Sequence, residues 1–186
     1  MTAPWRIFAL AAAAVALLGC DQKQAAQEPP KPREIAADSI GHFCGMSLAE
    51  HPGPKGQIFV GGSPDPVWFA SVRETFAFTM LPEEPKSIAA IYVTDIGKAI
   101  GRLTPDPGTW IDARKAYYVI GGRRLGGMGE DEAMPFAEEA RARQFAVEGG
   151  GRVVAFGEMP EDYILQYGDE KAKDRAADDR EEARTP

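Results

Sequence analysis

The sequence predicts a mixed α+β fold in which two degenerate β-β-α-β-like repeats form one compact globular unit. Two observations carry that prediction. Ile58-Phe59-Val60-Gly61-Gly62 and Tyr118-Val119-Ile120-Gly121-Gly122 are one pattern used twice, an apolar strand-like run stopped by paired glycines. Each run is followed by a proline-started stretch with apolar residues at helical spacing, and then by another strand-like run. Composition agrees: 44% hydrophobic and 26% charged residues are ordinary globular usage, which excludes collagen-like and wholly disordered chains.

Taken in order, the chain begins with Arg6 ahead of an uncharged, Ala/Leu-rich run from Ile7 to Leu18. That run is shorter than the roughly 20 residues needed to cross a bilayer core. It ends in Leu17-Leu18-Gly19-Cys20, which has the form of a bacterial lipobox. Residues 1–19 therefore read as a lipoprotein signal peptide, and Cys20 as an acylated N-terminus that anchors the protein to a membrane. Asp21 directly after it resembles an inner-membrane retention signal, which places the expected protein on the periplasmic side of that membrane. Residues 20–37, polar and carrying Pro29, Pro30 and Pro32, read as the lipidated end and a flexible tether. Residues 38–168 form the expected globular unit, and 169–186 a charged tail too polar to bury a core.

Within the globular unit, Gln57 to Val60 predicts the first strand. Asp65-Pro66 reads as a helix cap and first turn, with Phe69, Val72, Phe76 and Met80 along one buried face. Ser87 to Thr94 predicts a second strand, followed by a Pro/Gly loop from Thr104 to Gly108, the segment Trp110 to Ala113, and a strand from Ala116 to Ile120. A second helix is expected from near Pro135 to Val147, ended by Gly149-Gly150-Gly151, with Glu138/Arg141 and Glu139/Arg143 paired on its outer face. Arg152 to Phe156 predicts the last strand and Pro160 to Tyr167 a short terminal helix.

The charge balance, 21 Lys+Arg against 28 Asp+Glu for a net −7, argues against nucleic-acid binding. Two cysteines exclude a disulfide scaffold and a four-cysteine zinc site, and two histidines leave little material for a polyhistidine metal site. Lipidation consumes Cys20, so Cys44 is the one free thiol left in the mature chain. A lone thiol in an oxidising compartment needs to be held or used. It lies in His42-Phe43-Cys44-Gly45-Met46, where a thiolate and a thioether two residues apart offer soft donors suited to Cu(I). The same spacing also suits a buried cysteine beside a gap-filling methionine. Met128, flanked by glycine in Gly126-Gly127-Met128-Gly129, has no evident core role and is a second soft-ligand candidate. Met80, Met134 and Met159 sit at core-like positions.

With these segments in place, the chain resembles the NosL family. The resemblance rests on the lipobox, Phe43-Cys44-Gly45-Met46, Gly127-Met128-Gly129 with Glu132 and Pro135-Phe136, and Gly149-Gly150-Gly151 before a strand, and covers about residues 40–165. It implies a duplicated β-β-α-β fold and a Cu(I) site drawing on Cys44, Met46 and Met128, with His42 ahead of His51 as a completing ligand. It further implies a non-enzymatic, membrane-anchored copper chaperone. Such a protein would serve nitrous oxide reductase maturation beside a membrane ABC-type assembly complex. Two other classes compete with that reading: a thiol-dependent enzyme with Cys44 as nucleophile and His42 as base, and a structural lipoprotein with an inert Cys44. The enzyme lacks a second cysteine to resolve an oxidised intermediate.

Cys20→Ala should leave the precursor uncleaved and unacylated, whereas the wild-type chain carries diacylglyceryl on Cys20. Intact-mass measurement of the two proteins checks this, and a free Cys20 thiol in the mature wild type would refute the lipobox.

Overall fold

The computed structural model describes residues 28–99 and 106–165. The signal peptide, Cys20, the first part of the tether, loop residues 104–105 and the charged tail lie outside the described residues. Among the described residues, no helix is long and apolar enough to cross a membrane.

The first expected strand forms as β1 (Gly56–Val60). The expected helix at Asp65-Pro66 does not form there. The chain instead makes a second strand, β2 (Val67–Phe69), antiparallel to β1. Helix α1 (Val72–Met80) begins later, because Ser71-Val72-Arg73-Glu74 offers a stronger start. The Glu74 N–H donates to Ser71 Oγ at 3.0 Å, and the Glu74 carboxylate accepts from the Ala70 N–H at 3.1 Å. Phe69 thus belongs to the sheet; Val72 and Phe76 of α1 are buried, and Met80 is half-buried at the core margin. Asp65 pairs with Arg33 at 2.6 Å.

Strand β3 (Ile88–Thr94) adds antiparallel to the other side of β1, and β4 (Trp110–Asp112) adds to β3, giving the order β2-β1-β3-β4. The second unit repeats the scheme. Strand β5 (Tyr117–Ile120) lies between β6 (Met134–Phe136) and β7 (Arg152–Ala155), all antiparallel, with helix α2 (Glu139–Gly149) joining β6 to β7. Pro135 therefore sits inside β6, and α2 starts after it. Both misread prolines mark edge strands, where a missing N–H breaks no ladder bond. The expected pairs on α2 are present: Arg141 lies 3.9 Å from Glu138, and Arg143 Nε donates to Glu139 at 3.0 Å. Helix α3 (Glu161–Ile164) closes the described chain.

In each unit the first strand lies between the strand that follows it and the strand after the helix; in the first unit β4 extends the sheet one strand beyond β3. The two units share one core. Ile58, Phe69, Val72, Phe76, Ile91 and Val93 of the first pack with Tyr118, Ile120 and Val154 of the second. Phe76 meets Tyr118 edge-on, with ring centroids 4.9 Å apart. The opposite face of β5 carries Val119, which joins Met134, Phe136 and Ala142 in a smaller cluster under α2.

Part of the expected tether is bound to the domain. The Arg33 N–H donates to Gln57 Oε1 and Gln57 Nε2 donates to the Arg33 carbonyl, both at 2.9 Å; the Tyr92 hydroxyl donates to the Pro30 carbonyl at 2.7 Å. Residues 30–33 thereby cover Gln57, whose buried amide is satisfied in full view of neither solvent nor core.

Ser71→Ala should destabilise the protein by about 1 kcal/mol through loss of the cap, whereas exposed Asp65→Ala should cost under about 0.5 kcal/mol. Urea midpoints at unchanged m-value measure both, and a larger loss at Asp65 would restore the earlier helix start.

Candidate metal centre

Residues 39–48 form a short hairpin. Ile40 and Ser47 bridge antiparallel, and the Leu48 N–H donates to the Ser39 carbonyl at 3.0 Å. Its turn is closed by Gly41 N–H to the Met46 carbonyl and Gly45 N–H to the Gly41 carbonyl, each 2.9 Å, with Gly45 at φ 66°. This curl folds the Cys44 sulfur back over Gly41: a Cβ at residue 41 would stand 2.5 Å from Cys44 Sγ. Glycine there is what admits the thiol. Cys44 is free and half-buried, and Met46 is half-buried beside it in sequence.

The hairpin is fastened to edge strand β2, where the His42 N–H donates to the Trp68 carbonyl at 2.8 Å. His42 Nε2 lies 3.2 Å from Glu84 Oε1, and its ring packs edge-on against Phe69 and Phe78 with centroids 5.9 and 5.4 Å apart. Glu84 thus engages one of the two ring nitrogens through which His42 could bind a metal.

Met128 lies at the tip of a second hairpin, closed by the Leu125–Asp131 bridge and by Gly126 N–H to the Glu130 carbonyl at 2.7 Å. Its side chain is 41% exposed. The hairpin rests on residues 52–53, in the segment that leads away from the Cys44 hairpin. A Cβ at Gly127 would stand 2.1 Å from the Pro52 carbonyl oxygen, and one at Gly53 would stand 3.0 Å from Gly127 N. His51, half-buried, precedes this seat. The structure therefore groups Cys44, Met46 and His42 in one hairpin, and seats the Met128 hairpin on the strap that continues from it. Met134 and Met159 are buried core residues.

A buried charged cluster underlies both hairpins. Lys55 is 1% exposed, and its ammonium donates to the Pro52 and Gly53 carbonyls at 2.9 and 2.8 Å. Burial lowers its pKa to about 8, against the opposing charges of Glu132, Glu130, Glu74 and Cys44. Those partners put Lys55 within electrostatic range of both hairpins. Burial pushes the Glu132 carboxyl up to about 8, although its Oε1 accepts from the Arg73 and Ala133 N–H groups at 3.0 and 2.8 Å. Glu132 Oε2 has no hydrogen-bond partner. Burial also raises Glu74, partly offset by the Ala70 and Ser71 N–H groups.

Among the described residues, no three His, Cys, Asp or Glu side chains gather as a metal-holding group. A thiol together with thioethers is a donor set that favours a soft ion. The sequence points to no role for Gly41, Lys55 or Glu84, and to Glu132 only as part of the family resemblance. Pro-Gly-Pro-Lys and Ser-x-x-Glu were visible signals, but neither reveals a buried ammonium or carboxyl.

The fold and these loops define a class: two fused ββαβ units with a thiol and thioethers on neighbouring hairpins. The chain belongs to the NosL family, whose model matches residues 32–164. It is 41% identical over 173 residues to the copper-binding lipoprotein NosL of Achromobacter cycloclastes, covering 92% of this chain and 89% of that protein. It is 37% identical over 146 residues to the Stutzerimonas stutzeri protein of the same name, covering 78% and 75%. The crystal structure of the copper chaperone NosL from Shewanella denitrificans superposes with a TM-score of 0.65 at 31% identity, covering 72% of this chain and 98% of that one.

Glu132 binds its proton more tightly folded than unfolded, so the stability it contributes is full below about 4.5 and is lost as pH rises through about 8. Lys55, lowered from 10.5 to about 8, acts in the window above that. Glu132→Gln should therefore flatten a loss of stability, on the order of a few kcal/mol, between pH 5 and 8. Urea unfolding at both pH values tests this, and an equal slope in the variant would reject the assignment.

Proposed function

We propose that this protein is a lipid-anchored, non-enzymatic copper chaperone. In this reading it holds Cu(I) through Cys44, Met46 and Met128, with His42 as the completing donor. It passes the ion on for nitrous oxide reductase maturation, working at the periplasmic side of the inner membrane beside an ABC-type assembly complex. The observation that carries this reading is the half-buried Cys44 thiol in a turn with Met46 two residues on, followed by a strap on which the hairpin of the exposed Met128 is seated.

The chemistry follows from those donors. A thiolate neutralises the monovalent charge, and the metal itself drives thiol deprotonation. Thioethers bind without losing a proton, so copper loading releases one proton per ion at this donor set. Two hairpins open to solvent leave room for an incoming ligand, which allows transfer by exchange rather than by complete dissociation. An enzymatic role for Cys44 has no second cysteine to resolve an oxidised sulfur, because the sequence holds only Cys20 besides.

The test is anaerobic Cu(I) titration of the full-length protein in detergent against a competing chelator. Cys44→Ser should abolish high-affinity binding, since a hydroxyl replaces a soft anion. Met128→Leu should weaken Cu(I) retention markedly while changing stability by less than about 1.5 kcal/mol. Met80→Leu, at the core margin, should leave affinity unchanged. Copper should also protect Cys44 from thiol labelling. Wild-type affinity in Cys44→Ser, or labelling indifferent to copper, would favour the structural or enzymatic alternative.

A further inference from the structure

We infer that Lys55 is a positioning residue for the copper site: its buried ammonium fixes the Pro52–Gly53 backbone on which the Met128 hairpin sits, and so sets the Met128 thioether relative to the Cys44 turn. This inference rests on the three-sulfur reading above.

The argument starts from the sequence Pro52-Gly53-Pro54-Lys55. Two of the first three residues lack an N–H, so this strap cannot pair as an ordinary strand. Lys55 supplies donors from its side chain instead, folding back onto the carbonyls two and three residues before it at 2.8 and 2.9 Å. A charged donor makes these hydrogen bonds stronger than neutral ones. At its other end Lys55 is rigid: its N–H donates to Thr94 Oγ1 at 2.9 Å, and its carbonyl accepts from the Thr94 N–H at 3.0 Å. The side chain is thus a brace between the start of β1 and the strap.

A buried ammonium is costly, and an apolar residue would fill the same space at lower cost. What the charge adds is control of the Pro52 carbonyl. That oxygen occupies the space a side chain at 127 would need, so the Gly127 backbone rests directly on it. A shift of the Pro52 carbonyl must shift the Met128 hairpin tip or open a gap beneath it. Lys55 touches no copper donor among its hydrogen bonds; it acts through Pro52 and Gly127.

The experiment is a double-mutant cycle on Cu(I) affinity, using the full-length protein in detergent and a competing chelator. Lys55→Met keeps the length of the apolar stem and removes the ammonium. It should weaken Cu(I) binding by about tenfold or more, the size expected when a supporting group around a metal site is lost. In the Met128→Leu background the same change should have an effect within about twofold, since the thioether it positions is gone. X-ray absorption at the copper edge should show one fewer sulfur neighbour in Lys55→Met than in wild type, a signature that loss of stability alone does not produce. Wild-type affinity in folded Lys55→Met, or full additivity with Met128→Leu, overturns the proposal. If Lys55→Met does not fold, Gly127→Ala probes the same seat from the other side: it should lose affinity only when Met128 is present, and unchanged affinity overturns the proposal. Wild-type affinity in Met128→Leu itself would instead defeat the three-sulfur reading, which separates the two failures.

Discussion

Neither ββαβ unit can bury its own apolar surface, and that constraint organises the rest of the molecule. Strands β2, β4 and β6 are each three residues long, and α1 buries Phe76 against rings from the other unit. Phe76 contacts Tyr118 and also Phe156, whose ring centroid lies 4.8 Å away. Tyr118 is fully buried, and its hydroxyl donates to the Ala113 carbonyl at 2.6 Å, which satisfies the polar atom that this side chain brings into the shared core. Two small sheets that must share a core have their connecting loops placed by that packing. The Cys44 hairpin, tied to β2, and the Met128 hairpin, leading into β6, are held by elements whose positions the common core dictates.

Fixed placement of the loops is compatible with an open site because the two demands fall on different atoms. The backbone of each hairpin is held by its own hydrogen bonds and by contact between Gly127 and the Pro52 strap. On those frames Cys44 and Met46 are half-buried and Met128 is exposed. Beneath them, a lysine and three glutamates are buried or partly buried, and Glu132 Oε2 is left without a partner. Such an arrangement does not maximise stability. It maintains polar order beneath two hairpins, and natural folds commonly depart from the most stable packing at the positions they use.

Much of the secondary structure was legible in residue order. The runs at 57–60, 87–94 and 116–120 became strands because β-branched and aromatic residues cluster there between glycine and proline breaks. The helix starts at Pro66 and Pro135 were misread for one reason. Proline fits both a first helical turn and an edge strand, and only pairing with a neighbouring strand distinguishes them. Ser71-x-x-Glu74 was the better start signal, since it satisfies two backbone donors where Asp65 would satisfy one. Arg33 and Pro30 are ordinary linker residues in sequence, and their bonds to Gln57 and Tyr92 exist only because the fold places those residues opposite them.

By itself the sequence determined the α+β class, the repeat and the family, and it marked Cys44, Met46 and Met128 as soft-donor residue types, because these depend on residue type and short-range order. Tertiary structure alone decided that the Met128 hairpin sits on the strap leading from the Cys44 hairpin, and that Gly41 must be small to admit the thiol. It also decided that Lys55 is buried beneath both hairpins, and that His42 turns one nitrogen toward Glu84. Each of these is a contact between residues that only packing brings near one another, or a desolvation that depends on what lies above the residue, and neither is written in local composition.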